Sequence, residues 1–231
     1  MTLKSSHTKN IAKLRSYLEG LYRRYHRPEY LAADPLSVAH RYADPADQEV
    51  SALLAAAFAS GNIKSILAVL DRILAVLGPH PADWLRERKP SQIRGQFPGI
   101  YHRWVQETDV EFLMALLSGV LRRWGSLADL WKEVDDPAEP TTMAALERFV
   151  DVISSTPTGS LRRRQRIVRR ANGTTSQLAP IDTILLTSPR GGSACKRMHL
   201  FLRWMARPAD GIDLGLWTDF LAPSRLTMPV D

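Results

Sequence analysis

The chain has a single cysteine, Cys195, in 231 residues. That excludes an internal disulfide and any four-cysteine zinc or iron–sulfur centre. Its first residues, Met-Thr-Leu-Lys-Ser-Ser-His-Thr-Lys-Asn, lack the apolar run of a secretory signal, and no uncharged apolar stretch approaches the ~20 residues of a membrane span. The expectation is a cytoplasmic protein. Internal repeats, coiled-coil heptads and alternating-period strands worth a sheet are also missing. Six histidines, His7, His26, His40, His80, His102 and His199, are scattered without the paired spacings of zinc sites, so neither a metal nor another cofactor is expected. What remains is 45% hydrophobic and 24% charged, ordinary globular composition with enough apolar residues for a real core.

Helical periodicity fills most of that composition. Asn10 to Tyr25 reads as a helix with Ile11, Leu14, Leu18, Leu21 and Tyr22 on a core-facing side and basic residues outside. A second helix has Asp44 as N-cap, Pro45 at its first position and Asp47 against the helix dipole, with Val50, Leu53, Leu54, Ala57 and Phe58 turned inward. Gly61 ends it, and Asn62 caps a third helix that runs to Gly78-Pro79. Pro81 to Tyr101 predicts at most one short helix, with Trp84, Phe97 and Tyr101 as anchors. Thr108 to Glu111 reads as a capping box before the stripe Phe112, Leu113, Leu116, Leu117, Val120 and Leu121. A short helical turn over Leu127–Trp131, an acidic loop over Asp135–Pro140 and a helix over Thr142–Ile153 follow. The pattern predicts an all-α fold, one helical domain over 1–231 with a basic, loop-rich connection at 154–180.

The charge is placed unevenly. From Ser160 to Arg207 there are eleven Lys or Arg and one acid, Asp182, a surplus of +10 within a total of +7, which leaves the remainder at −3. Such asymmetry points to a polyanionic partner, most commonly nucleic acid. Arg162, Arg163, Arg164 and Arg166 lead a run of six arginines in nine residues that can neutralise several phosphates, or serve as a solvated connection.

The densest information lies in Gly191 to Arg207. Gly191 and Gly192 open directly into a helix with Met198, Phe201, Leu202 and Met205 on one side and Lys196, Arg203 and Arg207 opposite. A glycine turn before a helix start allows backbone N–H groups to meet an anion, with Ser193 and Arg197 beside it. Cys195 reads as a small packed side chain, though a helix start beside a lysine also suits a reactive thiol. Asp210 to Trp217 predicts a tight turn and a short helix.

Several pieces taken in order carry a resemblance: Arg41-Tyr42-Ala43-Asp44-Pro45-Ala46-Asp47-Gln48-Glu49, Ala59-Ser60-Gly61-Asn62, Gly192-Ser193-Ala194-Cys195-Lys196-Arg197, Phe201-Leu202-Arg203-Trp204-Met205, Asp213-Leu214-Gly215-Leu216-Trp217 and Pro229-Val230-Asp231. Over most of its length the chain resembles a bacterial family of conserved proteins of unknown function, itself distantly similar to helix-hairpin-helix DNA glycosylases. The resemblance implies a helix-hairpin-helix DNA-glycosylase-like bundle, a base-excision glycosylase with or without abasic-site lyase activity, and DNA as the partner. It also implies a Lys/Asp catalytic pair, Lys196 attacking the sugar C1′ of a flipped nucleotide and Asp231 assisting. The pattern departs in three places. Ser188-Pro189-Arg190-Gly191-Gly192 replaces the usual Leu-Pro-Gly-x-Gly hairpin, His199 stands where asparagine is expected, and the family's Thr-His continuation and further helix after Asp231 are absent, as in a C-terminally truncated member. The other readings are a non-catalytic nucleic-acid-binding protein and an inactive truncated member.

Overall fold

In the computed structural model, which describes residues 3–162, 165–168, 177–180 and 185–228, the chain is mostly helical, as the periodicity predicts. The helices are α1 (Leu3–Tyr25), α2 (Pro45–Phe58), α3 (Ile63–Leu77), α4 (Pro81–Glu87), α5 (Pro90–Ile93), α6 (Glu107–Trp124), α7 (Leu127–Val134), α8 (Met143–Ser155) and α9 (Lys196–Ala206). Short 3₁₀ segments cover Pro28–Ala33, Pro35–Arg41, Pro189–Gly191 and Pro223–Arg225. Among the described residues no helix is long and apolar enough to cross a membrane.

Helix α2 lies at the centre. Asp44 Oδ1 accepts hydrogen bonds from the N–H groups of Ala46 (2.8 Å) and Asp47 (3.3 Å), and Pro45 fills the first position, where no N–H is needed. Asp44→Ala is expected to cost about 1 kcal/mol in denaturant unfolding, since it orphans those donors. From Glu49 to Phe58 every residue is buried, because α2 packs against the 3₁₀ segment Pro35–Arg41, α3, α4, α7 and α9. A helix surrounded on all sides has no polar face, and its buried acids serve neighbouring helices instead. Asp47 Oδ1 accepts from Ala82 N–H at the start of α4 (2.7 Å). Glu49 Oε2 accepts from Leu127 and Ala128 at the start of α7 (2.9 and 3.2 Å), while its Oε1 accepts from the Trp217 indole (2.7 Å). Each carboxylate thus satisfies helix-start N–H groups and faces the positive end of a helix dipole.

Trp217 is also an aromatic hub, with Trp131 at 5.5 Å, Phe201 at 5.3 Å edge-on and Phe220 at 5.8 Å between ring centres. Its segment does not form the short helix expected after Asp210. It remains a series of turns, since Gly215 adopts φ +67 and lies so close to the end of α9 that a Cβ would meet Ala209 N at 2.5 Å. This close fit lets Leu214 and Gly215 donate to Trp204 O and Trp217 to Met205 O, closing the last turn of α9.

Other expectations also change. The apolar stripe of α1 does not enter the core: Ile11, Leu14, Leu18 and Tyr22 are exposed and Leu21 is only half-buried. Pro81 to Tyr101 holds two short helices, α4 and α5, where at most one was expected, each opened by a proline. Thr108 is not a cap. The helix begins at Glu107, Gln106 is its N-cap, and Asp109 reaches back to the Gln106 N–H (2.8 Å), leaving Glu111 to accept from Gly95 (2.6 Å). Two short antiparallel pairs also form, β1 (Tyr101–His102) with β2 (Val105–Gln106) and β3 (Gln165–Val168) with β4 (Gln177–Pro180), strands too brief to show a period. Trp84 and Phe97 are anchors, in edge contact at 6.0 Å, but Tyr101 points to solvent.

Candidate functional site

The start of α9 is shaped by two residues in left-handed backbone. Gly192 has φ +70, which glycine adopts freely, and Cys195 has φ +47, which costs a side-chain-bearing residue strain. Cys195 is the N-cap residue, and its side chain makes no capping hydrogen bond. Instead its Sγ–H donates to Ser193 O (3.3 Å), and its N–H donates to Ser193 Oγ (3.1 Å). The thiol is buried, in keeping with the packed reading. Gly191, Gly192 and Ser193 are exposed, and a Cβ added at either glycine would meet nothing within 4 Å, so the backbone of the turn is open to a large ligand. Arg190 anchors this turn to α8 through Glu147 (3.1 Å) and Asp151 (2.6 Å).

Along α9 the stripe Met198, Phe201, Leu202 and Met205 is buried as expected. Lys196, Arg203 and Arg207 line one cavity of about 650 Å³ between α9, the end of α1 and the segment 223–228. Tyr22 and Tyr25 of α1, with His26 just after it, form the facing wall, and His199, Thr227 and Met228 complete it. The 223–228 segment is fixed from behind. Arg225, nearly buried, makes a bidentate pair with Asp135 (2.7 Å on each arm) and donates to Asp136 O and Glu139 O, while the Glu139 carboxylate pairs with Arg148 (2.8 and 3.0 Å), so the acidic loop 135–140 is a cradle for two guanidiniums.

The two arginines of this wall share one carboxylate. Asp213, with no side-chain exposure, lies 3.4 Å from Arg203 and 3.2 Å from Arg207, and burial pushes its carboxyl up against the pull of those two guanidiniums. Arg207 also donates to the Tyr22 hydroxyl (3.0 Å), Tyr22 stacks on His26 (4.5 Å between centres), and His26 pairs with Asp210. This network joins α1, α9 and the 210–213 turn. His26, Asp210 and Asp213 bring potential metal-ligand atoms within 4.8 Å of one another, a group that sequence spacing cannot reveal. The two guanidiniums already balance Asp213, so charge favours an ion-pair network over a cation site. His199 is buried, which pushes its imidazole down and keeps it neutral at pH 7, and Thr227 Oγ1 lies 3.3 Å from its ring nitrogens.

Not every expected residue joins this cavity. Arg197 turns the other way, half-buried, and donates to Ala57 O at the end of α2 (2.6 Å). Burial, and then repulsion by Arg103, lower its pKa. Arg162 is exposed and away from the cavity lining. Arg163, Arg164 and Asp231 lie outside the described residues, as do the Arg166 side chain and most of the 154–180 connection after residue 162. Tyr22, Tyr25 and His26 were missed by sequence reasoning, whose only signal was a stripe that looks like any core-facing one. His199 was visible only as a departure from the resembled pattern.

No curated protein and no solved structure matches the chain. A family model described as "Protein of unknown function (DUF2400)" matches residues 34–231, beginning after α1, and the chain belongs to that family.

Proposed function

We propose that this protein is a DNA base-excision glycosylase with an associated abasic-site lyase step, built on a helix-hairpin-helix-like glycine turn before α9. Lys196 is its nucleophile and Asp231 its partner. One observation carries the reading: Lys196, Arg203 and Arg207 share a cavity with the tyrosines of α1, and Met228, three residues before Asp231, is part of the same wall. A volume of about 650 Å³ suits a small ligand such as one nucleotide, whose base finds aromatic faces and whose phosphate finds cations. The open backbone at Gly191 and Gly192 supplies a phosphate grip beside it.

In this reading the Lys196 amine, its proton passed to Asp231, attacks C1′ as the bond to the base breaks and the base leaves with its electron pair. Opening of the sugar ring then gives a Schiff base. Borohydride reduces that species to a stable amine, so the test is a crosslinking assay with duplexes carrying an abasic site or an oxidised or deaminated base. The wild-type protein is expected to form a reducible crosslink on at least one of them and to bind DNA with a steep salt dependence. Arg203→Ser with Arg207→Ser is expected to flatten that slope by about two. A protein that binds DNA with this salt dependence yet neither crosslinks nor releases any base is a binding module, and the enzymatic reading is then wrong.

A further inference from the structure

The β1–β2 hairpin lies outside the cavity, and its exposed residues have no place in the reading so far. Its pleat turns His102 inward, against Phe58 and Ser60 O, and Tyr101 outward, with 65% of its surface exposed. The strands are joined by Arg103 and Trp104, and Arg103 has φ +57, a conformation usually left to glycine, asparagine or aspartate in so tight a turn. What arginine adds there is its guanidinium. It lies over the Trp104 ring at 4.2 Å and donates to Ser60 Oγ (3.1 Å), which fixes the charge at the rim of a groove of about 400 Å³ between the hairpin and α3.

That groove is lined by Asn62, Ser65, Arg72, Tyr101 and Arg103 among others, and no carboxylate is among its lining residues. Arg72 is steadied by Pro98 O (3.1 Å). On its other side Arg103 lines a second, nearly closed cleft together with Arg197, and its charge is close enough to repel that guanidinium. An exposed aromatic beside two arginines, with hydroxyl and amide groups below, has the chemistry of a stacking platform for an unpaired base with a seat for its phosphate.

We propose that the β1–β2 groove binds an unpaired nucleotide of the DNA, its base stacked on Tyr101 and its phosphate on Arg103 and Arg72. The proposal rests on the reading of this protein as DNA-binding. It requires a contact separate from the Lys196 cavity, on the opposite side of Arg197. It also gives a reason for arginine where the backbone favours glycine.

The test compares binding of the full chain to a gapped duplex with a few unpaired nucleotides and to the same duplex fully paired, by fluorescence anisotropy over a salt series. Tyr101→Ala is expected to weaken gapped-duplex binding roughly tenfold without changing the salt slope, and Tyr101→Phe to restore it. Arg103→Gly relieves the backbone, so its melting temperature should hold or rise, while affinity falls and the slope drops by about one. Arg103→Asn, also tolerant of this backbone, repeats the measurement should the glycine variant fold poorly. If the wild-type protein binds and all these variants bind the gapped duplex equally well, the groove is not a nucleotide site and the DNA reading stands without it. Equal losses on gapped and paired duplexes overturn the preference for an unpaired base. If the wild-type protein binds neither duplex, the DNA reading fails, and the groove with it.

Discussion

Lys196→Gln is expected to abolish the borohydride-reducible crosslink and leave DNA affinity within a few-fold of wild type. Glutamine retains polarity at the first position of α9, where the side chain is exposed. Its amide nitrogen has no available lone pair, so neither attack on C1′ nor a Schiff base is open to it. A lysine that only touches phosphate gives a different signature: affinity and salt slope both fall, and the crosslink persists in whatever complex still forms. Asp231→Asn complements this variant. It is expected to slow base release by about 10²–10⁴-fold with little effect on binding, the range for removing a positioned proton acceptor. Crosslinking by Lys196→Gln at the wild-type rate would assign the nucleophile elsewhere.

The second large effect is on stability. Glu49→Ala is expected to destabilise the protein by roughly 3–5 kcal/mol in denaturant unfolding, because it strands the Leu127 and Ala128 N–H groups and the Trp217 indole away from water. Glu49→Gln should cost less, since one amide oxygen can still serve the start of α7 while its NH₂ faces the indole donor. The two variants also separate a pH effect. Burial raises the Glu49 carboxyl, outweighing the indole and the two backbone donors that lower it. The folded protein therefore holds this proton more tightly than the unfolded chain. Glu49's contribution is full below the ordinary glutamate pKa and is lost as pH rises through the raised folded value. Glu49→Gln should remove that slope from the stability–pH curve; an unchanged slope would mean that Glu49 is ionised throughout.

The helices that the sequence made legible are those whose ends are marked locally. Asp44-Pro45, Asn62 and Gly78 act on N–H and C=O groups within four residues, so their meaning does not depend on the rest of the fold. Thr108 misled because two overlapping capping patterns were present, and the one using Gln106 and Asp109 prevailed. Periodicity found the apolar face of α1 but could not say whether anything covers it. Tyr101 was misplaced for a related reason, since only the partner strand decides which side of a two-residue pleat faces the core. The cationic half of the cavity was legible because Lys196, Arg203 and Arg207 share one face of one helix. The aromatic half was not, because Tyr22 meets Arg207 across 185 positions of chain. Asp213 shows the same limit: its motif was visible, but its grip on two guanidiniums belongs to tertiary structure.

The strained residue before Lys196 turns the chain's scarcity of thiols into an instrument. Cys195 is buried, so a thiol reagent reaches it only when the segment ahead of α9 opens, and every labelling event in the protein reports on that one place. When reclosing outpaces the reagent, the labelling rate equals the opening equilibrium constant multiplied by the reagent's rate on a free thiol, which converts a chemical half-life into a local free energy. A ligand seated across Gly191, Gly192 and Lys196 would slow that reaction without touching the sulfur. Alkylation kinetics on the unmodified chain thus provide a footprint of occupancy at the start of α9.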